Sequence, residues 1–281
     1  MKTITKDSLI EDLKNLGISS GDTVLIRTKL SVIGKINKRD VLEALLNIIG
    51  AEGTLVGLAF TKSFTIKKPN PENYFHIKTP TYAGALAQMM LDHPDAKRSV
   101  HPMCSFVAIG KHAEEIVNRH DHLSPAYEPM RKLMDLNVKG VLIGCLEESP
   151  GFTTAHLAEY DLGLHKRVIF PWFTRVYFQN EGKMKLFRRK DVGLCSQSYS
   201  KFYPYYQKEG LLKEGMVGNA VSILVPLKEA YKIEYSLMKS DAKFNICDNA
   251  LCFACNVRRW DRLHKMPGIL YKFLKKKLFN K

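Results

Sequence analysis

Short, uninterrupted apolar runs constrain the fold of this chain more than any other feature. The runs "TVLI", "TLVGLAF" and "GVLIGC" begin at Thr23, Thr54 and Gly140, and polar segments with helical periodicity separate them. A strand that is apolar on both faces needs a covering layer on each side, which is typical of sheets flanked by helices. The sequence therefore predicts an α/β fold with a central sheet between helical layers.

Helical patterns fill the intervening segments. The segment 5–17 places Leu9, Leu13 and Leu16 on one face and ends at Gly17, a residue that commonly terminates helices. Comparable helical patterns cover 37–50, 81–94, 111–120 and 127–137.

The amino-acid composition of the chain changes near residue 165. The stretch 167–189 is rich in aromatic and β-branched residues around an Asn-Glu-Gly turn, and it predicts a β-hairpin. No internal repeat or low-complexity linker separates this part from the rest. We therefore expect one α/β domain over 1–256, followed by a basic helix or tail over 257–281.

Positive charge is concentrated in the second half of the chain. Residues 1–164 hold equal numbers of acidic and basic side chains, whereas the whole chain has a formal net charge of +15. This asymmetry indicates either an anionic partner or a set of solvated lysines. Because no nucleic-acid reader motif accompanies it, we expect no nucleic-acid partner.

The sequence indicates a cytoplasmic protein. No apolar stretch approaches the ~20 residues that a membrane span needs, and the N-terminal segment lacks the apolar region of a signal peptide. The tail "GILYKFLKKKLFNK" would form a helix that lies on an anionic membrane surface or docks on the protein body with solvated lysines. Its predicted apolar stripe comprises Ile269, Leu270, Phe273, Leu274 and Leu278.

A histidine and a glutamate lie three residues apart just after the last apolar run. In "GFTTAHLAEYD", a helix capped by Thr153 or Thr154 would place His156 and Glu159 one turn apart on the same face. A carboxylate beside an imidazole fixes its tautomer and stabilises the imidazolium, as a general base requires. The alternative interpretation is an exposed salt pair.

The order of several motifs resembles the aminoglycoside 3-N-acetyltransferase family. The matching stretches lie between Leu13 and Tyr160 and read "LG..SGDTVLI", "GTLV", "GAL", "RSVHPMCSF", "SP....L", "VLIG" and "T..H..E". The specific part is the combination of "RS.HP..S" with a later "T..H..E". The resemblance implies a mixed α/β fold distinct from the GNAT acetyltransferases, and direct transfer of an acetyl group from acetyl-CoA.

The resemblance also implies roles for individual residues. His156 would take the proton of the attacking amine, Glu159 would orient that ring, and Thr153 would lie near the thioester carbonyl. Residues 1–164 would form the coenzyme-binding and catalytic part, and residues 165–256 would shape the acceptor pocket. The sequence does not fix the oligomeric state, and a homodimer is one assembly that it leaves open.

Two segments match the coenzyme-binding segments of the family. The implied contacts are Arg27, Thr28, Lys29, Leu30, Arg98, Ser99, Val100, His101, Pro102 and Ser105. Main-chain amides and small hydroxyls suit pyrophosphate and pantetheine, and the Arg98 guanidinium suits a phosphate. The chain departs from the family at "RTKL", where His-Ser-Ser-Leu is usual, and at "GLAF", where Pro-Thr-Phe is favoured. The C-terminal third matches only faintly.

The positive charge bears on the acceptor. Aminoglycosides are polycations and favour pockets lined with carboxylates, so the basic C-terminal part favours an anionic acceptor. We therefore predict an amino sugar linked to a nucleotide or lipid pyrophosphate, as in the synthesis of surface polysaccharides. The alternative acceptor is an aminoglycoside, and a further alternative is a metal-binding family member without activity.

Three cysteines lie close together near the C-terminus. Cys247, Cys252 and Cys255 follow a C-x4-C-x2-C spacing that suits zinc or an iron–sulfur cluster if Cys195 or His264 supplies a fourth ligand. The more common interpretation is a set of buried free thiols. An acetyl-cysteine intermediate on Cys104 is the alternative to direct transfer.

Overall fold

The computed structural model of the protein describes residues 4–62, 70–169, 171, 174–193, 195–257 and 259–279. The strands are β1 (Thr23–Thr28), β2 (Thr54–Leu58), β3 (Tyr74–Phe75), β4 (Lys97–Arg98), β5 (Phe106–Gly110), β6 (Lys139–Ile143), β7 (Arg175–Asn180), β8 (Lys183–Arg188), β9 (Lys213–Val217) and β10 (Ala220–Pro226). The α-helices are α1 (Lys6–Leu16), α2 (Lys38–Ile49), α3 (Ala85–Leu91), α4 (Ala113–Val117), α5 (Pro129–Asp135), α6 (Thr154–Asp161), α7 (Tyr203–Lys208), α8 (Leu227–Ser240), α9 (Phe253–Asn256) and α10 (Met266–Phe279).

A seven-stranded mixed sheet forms the centre of the fold, in the order β4-β5-β2-β1-β6-β10-β9. Strand β1 runs parallel to both β2 and β6. The strands outside this parallel centre pair antiparallel, as β10 does with β6 and β5 does with β2. The predicted fold class, a mixed α/β sheet flanked by helices, is confirmed.

Both faces of the sheet are buried, which explains the uninterrupted apolar runs. Along β1, Val24 and Ile26 belong to one hydrophobic cluster, and Leu25 between them belongs to the other. The first cluster includes the apolar faces of α1 and α2, and the second includes residues of α6 and α8. Alternate side chains of one strand therefore enter two different layers of core.

Residues beyond 165 contribute to both sheets of the molecule. Strands β7 and β8 form the predicted hairpin around Glu181 and Gly182, both with positive φ, and β3 extends it to a three-stranded sheet. Strands β9 and β10 complete the edge of the central sheet. The two parts of the predicted 1–256 domain thus share one sheet.

The C-terminal segment forms α10 after a 3-10 turn at Trp260–Lys265. Of the predicted apolar stripe, Ile269 is buried, whereas Leu270 and Leu274 are exposed, as is the neighbouring Tyr271. The side chains of Phe273 and Leu278 lie outside the described residues. No helix within the described ranges combines the length and apolar character that crossing a bilayer requires.

Candidate active site

The candidate site lies at the start of α6, after a loop that leaves the carboxyl end of β6. Thr153 occupies the predicted N-cap position but adopts a left-handed backbone conformation with φ of 73°. That conformation is strained for a β-branched residue. The Thr153 carbonyl accepts hydrogen bonds from the amides of His156 and Leu157. The Thr153 side chain is buried and makes no capping hydrogen bond to the amides of α6.

His156 and Glu159 meet as the helical spacing predicts. Nδ1 of His156 lies 2.8 Å from Oε2 of Glu159, and the two side chains are 15% and 1% exposed. A carboxylate only accepts hydrogen bonds, so this contact places the ring proton on Nδ1 and leaves a lone pair on Nε2. The pair is partly buried, which excludes the alternative of a solvated salt pair.

Two distant side chains complete the surroundings of the pair. The Tyr199 hydroxyl oxygen lies 2.7 Å from Nδ1 of His156. Burial first, then the Glu159 charge and a hydrogen bond with that carboxylate, raise the pKa of Tyr199 well above its ordinary value. The amide nitrogen of Asn245 donates to Oε1 of Glu159. The buried carboxylate is therefore held from several directions.

Aromatic and main-chain groups cover the imidazole. The Tyr127 ring stacks on His156 with centroids 5.0 Å apart and planes 8° apart, and the guanidinium of Arg189 lies over Tyr127. Gly193 passes so close that a Cβ on it would lie 2.5 Å from Nδ1 of His156 and 2.6 Å from Oε2 of Glu159. Only glycine leaves room for the pair at this position.

A second buried carboxyl group anchors the beginning of α6. Oε1 of Glu234 accepts hydrogen bonds from the Thr154 hydroxyl at 2.9 Å and from the Tyr206 hydroxyl at 2.5 Å. Burial raises the pKa of Glu234 to about 8. The helix that carries His156 is thus tied to α8 and α7 by side chains that are closed to solvent.

A cavity of about 420 Å³ opens beside the carboxyl ends of β1 and β2 and the start of α3. Arg27 and Thr28 line it, and Nη1 of Arg27 donates to the Gly151 carbonyl at 2.7 Å. Burial lowers the pKa of Arg27. The buried Thr28 hydroxyl has no partner within the described residues. A ligand with amide and carbonyl groups fits this orphaned hydroxyl.

The other two residues of that predicted segment lie elsewhere. Lys29 is exposed and pairs with Glu148. Leu30 is buried in the hydrophobic cluster beneath α2. The structure thus brings Arg27 and Thr28 to the cavity and places Lys29 and Leu30 outside its lining.

The predicted phosphate ligand Arg98 is turned into the protein. Its Nε donates to the Ser105 hydroxyl at 3.0 Å, and its Nη1 and Nη2 donate to main-chain carbonyls, including that of Ala59 at 2.9 Å. Ser105 also donates to the Ala59 carbonyl. These contacts fasten Arg98 in β4, and Ser105 after it, to the end of β2. They use donors of the guanidinium that a phosphate would need.

The remaining residues of "RSVHP" are interior, apart from one. The Ser99 hydroxyl accepts from the Phe106 amide and contacts Nδ1 of His120, Pro102 is buried, and Val100 is 53% exposed. Nδ1 of His101 accepts from two main-chain amides, and its ring stacks on His120 at 4.8 Å. Burial lowers the pKa of His101 to about 2, so this ring stays neutral.

Cys104 has the properties of a core residue. Its side chain is buried, and burial raises the pKa of the thiol to about 11. A thiol that stays protonated is a poor nucleophile. The geometry therefore favours direct transfer over the acetyl-cysteine alternative.

Sequence reasoning missed Tyr199, Asn245, Gly193 and Arg189. None of them belongs to a motif, and they lie between 33 and 89 residues beyond His156 along the chain. The one local indication of close packing is Gly193, which lies two residues before Cys195 in a stretch without a turn pattern. Packing alone identifies these residues.

Comparisons with known proteins agree with this geometry. The family model for aminoglycoside 3-N-acetyltransferases matches residues 25–239. An aminoglycoside N(3')-acetyltransferase-like protein, YokD of Bacillus subtilis, is 31% identical over 248 residues, which cover 80% of this chain and 89% of YokD.

Two solved structures share the fold. A mutant of AAC(3)-IVa with a histidine replaced by alanine, in complex with a gentamicin, aligns with a TM-score of 0.75 and 24% identity over 92% of this chain and 98% of that one. AAC-IIIb in a binary complex with CoASH aligns with a TM-score of 0.70 and 21% identity over 84% of this chain and 97% of that one.

Proposed function

The chain belongs to the aminoglycoside 3-N-acetyltransferase family and is an acetyl-CoA-dependent N-acetyltransferase, and from that premise we propose that His156 is the general base of acetyl transfer to an amine of an aminoglycoside. The proposal depends on one observation, the orientation of the His156 imidazole. Glu159 binds its Nδ1, and its Nε2 makes no hydrogen bond to the described residues. A free lone pair on a partly exposed ring is what proton removal from an amine requires.

The residues around His156 would act as follows. Nε2 takes a proton as the amine nitrogen forms its new bond, and the imidazolium that results is stabilised by the Glu159 carboxylate. Asn245 and Tyr199 keep that carboxylate in place. The Thr153 hydroxyl and the first amides of α6 offer donors to an oxygen that gains negative charge.

The cavity beside β1, β2 and α3 is the proposed coenzyme site. Bound acetyl-CoA supplies the activated acetyl group. Thr28 would donate or accept a hydrogen bond through its unpartnered hydroxyl, and Arg27 would line the wall between the cavity and the Gly151 loop. We assign Arg98, Ser99, His101, Pro102 and Ser105 to the supporting wall, because all five are buried and none of them lines the cavity.

Two predicted contacts remain at the edge of this site. Lys29 is exposed one residue after Thr28, and its side chain can leave Glu148 to meet a phosphate. Val100 is exposed on the segment after β4, where it can cover an adenine or pantetheine surface.

An aminoglycoside acceptor is supported by the family and by relatives crystallised with such compounds, gentamicin and sisomicin among them.

A second acceptor class, an anionic amino sugar, is favoured by the lining of another pocket. This pocket has a volume of about 670 Å³ and lies near Tyr160, one turn beyond His156, and Lys185, Arg188 and Lys190 line it. Its carboxylate, Asp191, already accepts hydrogen bonds from Arg189 and the Ala126 amide. This lining suits an anionic amino sugar such as a nucleotide-linked one.

Release of the coenzyme thiol measures the reaction with either acceptor. The assay compares gentamicin, sisomicin and apramycin with nucleoside-diphosphate-linked amino sugars. We expect turnover with an aminoglycoside, with a kcat/KM at least about tenfold above that of any nucleotide-linked sugar. In His156→Ala the kcat should be lower by about 10²- to 10⁴-fold. The reverse preference would transfer the proposal to the anionic acceptor, and turnover with neither class would refute both.

The C-terminal helix and the assembly state remain predictions. Exposed Leu270 and Leu274 on α10, beside lysines, favour contact with an anionic membrane surface from the cytoplasmic side. Sedimentation with vesicles of anionic and neutral lipid tests this contact. Light scattering tests whether the chain forms a homodimer.

A further inference from the structure

Four cysteine thiols converge at one point outside the active site. Cys195, Cys247, Cys252 and Cys255 place their sulfur atoms within 4.8 Å of one another. Cys195 enters 52 residues upstream of its nearest partner in the chain, just before the 3-10 turn Ser196–Phe202. Of the two fourth ligands that the sequence offered, Cys195 joins the cluster and His264 does not.

The spacing of the sulfur atoms matches a single tetrahedral ion. Four thiolates at about 2.3 Å from a zinc ion lie about 3.8 Å from one another. An iron–sulfur cluster inserts its inorganic core between the cysteines and spreads their sulfurs further apart. The Cys195 and Cys255 sulfurs are 3.2 Å apart, too far for a disulfide bond. The geometry therefore selects a mononuclear site.

The surroundings suit a negatively charged metal–thiolate centre. Four thiolates around a divalent cation carry two net negative charges. Arg262 donates to the Cys255 carbonyl at 3.2 Å, and Lys201, which also pairs with Asp248, donates to the Ile246 carbonyl at 2.8 Å. Two cations and one carboxylate therefore lie beside the cluster, and the net local charge is positive.

The same two segments hold the catalytic pair. Tyr199, four residues after Cys195, contacts His156, and Asn245, two residues before Cys247, donates to Glu159. The Ser198 hydroxyl donates to the Asn245 carbonyl at 2.5 Å, which joins the segments directly. Neither segment belongs to a described strand, so the sheet does not fix their separation.

We propose that Cys195, Cys247, Cys252 and Cys255 bind one thiophilic divalent cation of the Zn²⁺ class. The ion joins the segment 195–201 to the segment 245–255. It thereby positions Tyr199 and Asn245 against His156 and Glu159. This second part rests on the proposed function, whereas the metal site itself does not.

Metal analysis tests the site. Tag-free protein, purified under reducing conditions without oxygen, should contain one zinc per chain by mass spectrometry. Cys252→Ser should lose it, Cys252→His should retain it because imidazole is a zinc ligand, and Cys104→Ala should retain it as the matched cysteine control. Protein stripped with a chelator should bind Co²⁺ with the charge-transfer and d–d bands of a tetrahedral thiolate site. Stoichiometric iron, disulfides, or substoichiometric zinc without Co²⁺ binding would overturn the proposal.

The positioning role has its own readouts. Removal of the ion should increase amide hydrogen exchange in 196–202 and around Asn245 while β1 and β2 stay protected. The kcat should fall roughly 10- to 100-fold, with KM for acetyl-CoA unchanged within about twofold, and zinc should restore it. Unchanged exchange and unchanged kcat in metal-free protein would overturn this role. If no acceptor were found, the exchange measurement would still decide it.

Discussion

Two histidines, both in motifs that the family resemblance selects, occupy opposite environments. His156 has a carboxylate on Nδ1, an available Nε2 and 15% of its side chain exposed. His101 is fully buried, and its Nδ1 accepts hydrogen bonds from the amides of Met103 and Cys104. Its Nε2 has no hydrogen-bond partner among the described residues. The geometry thus leaves one ring nitrogen of His156 open to a ligand, whereas burial lowers the pKa of His101 and disfavours its charged form. The neighbouring charge and solvent access decide which role each ring has.

The largest expected effect comes from removing the reactive ring. His156→Ala should lower kcat by about 10²- to 10⁴-fold, because a positioned base contributes about that much. Steady-state assays of thiol release measure the loss. Coenzyme binding by calorimetry should persist, since the proposed cavity lies on β1, β2 and α3. A variant that keeps turnover within about tenfold of the wild type would remove His156 from the mechanism.

A methyl group placed against the His156 imidazole should disturb the arrangement that distinguishes His156 from His101. Gly193→Ala places a methyl group 2.5 Å from Nδ1 of His156, so the ring or the loop must move. We expect kcat to fall roughly 10- to 100-fold, as for other small misplacements of catalytic groups. Gly268→Ala is the matched control, because no atom lies within 4 Å of its added Cβ. Equal rates for the two variants would contradict the close packing over the pair.

The burial of His101 should instead affect how the stability of the folded protein depends on pH. Burial lowers the pKa of His101 to about 2 and that of His120 to about 4, so the unfolded chain takes up protons that the folded chain does not. The stability that these neutral rings provide is present above the unfolded value of about 6.5 and is lost as pH falls toward those pKa values. Each ring contributes at most about 1.4 kcal/mol per pH unit.

Urea unfolding between pH 7 and pH 4 measures this dependence, on the assumption of about two-state behaviour. His101→Asn keeps an acceptor for the two amides but cannot be protonated, so the slope of the free energy of unfolding against pH should become shallower. The exposed His264→Asn should leave the slope as it is. A wild-type slope that His101→Asn does not change would assign acid sensitivity to other groups.

The smallest effect is expected at the edge of the His156 region. Tyr199→Phe removes a hydroxyl that contacts the imidazole and the carboxylate, while Glu159 and Asn245 stay in place. The net contribution of a typical hydrogen bond is about 1 kcal/mol, and Glu159 keeps its other partners, so kcat should fall about fivefold. Tyr205→Phe, on the neighbouring helix and partly exposed, should have no effect on kcat. A loss as large as that of His156→Ala would show that Tyr199 takes part in the reaction directly.

The site was predictable where its geometry is local. His156 and Glu159 meet because three residues of α-helix make nearly one turn, and that spacing is visible in any sequence that forms the helix. Arg98 is a contrasting case. Its guanidinium, beside small hydroxyls in the sequence, suggested a phosphate ligand. In the fold it points instead toward Ser105 and main-chain carbonyls. Composition does not specify the direction in which a long side chain points.

The amino-acid sequence by itself determined the layered α/β architecture, because burial on both faces of a sheet leaves uninterrupted apolar runs. It also determined the contact between His156 and Glu159, the proposed catalytic pair, because helical spacing is local. Tertiary structure decided what surrounds that pair. Tyr199, Gly193 and Asn245 reach it, and Cys195 reaches the other cysteines, only through packing between segments far apart in the chain. Such contacts depend on the path of the whole backbone, and no periodicity in the sequence records them.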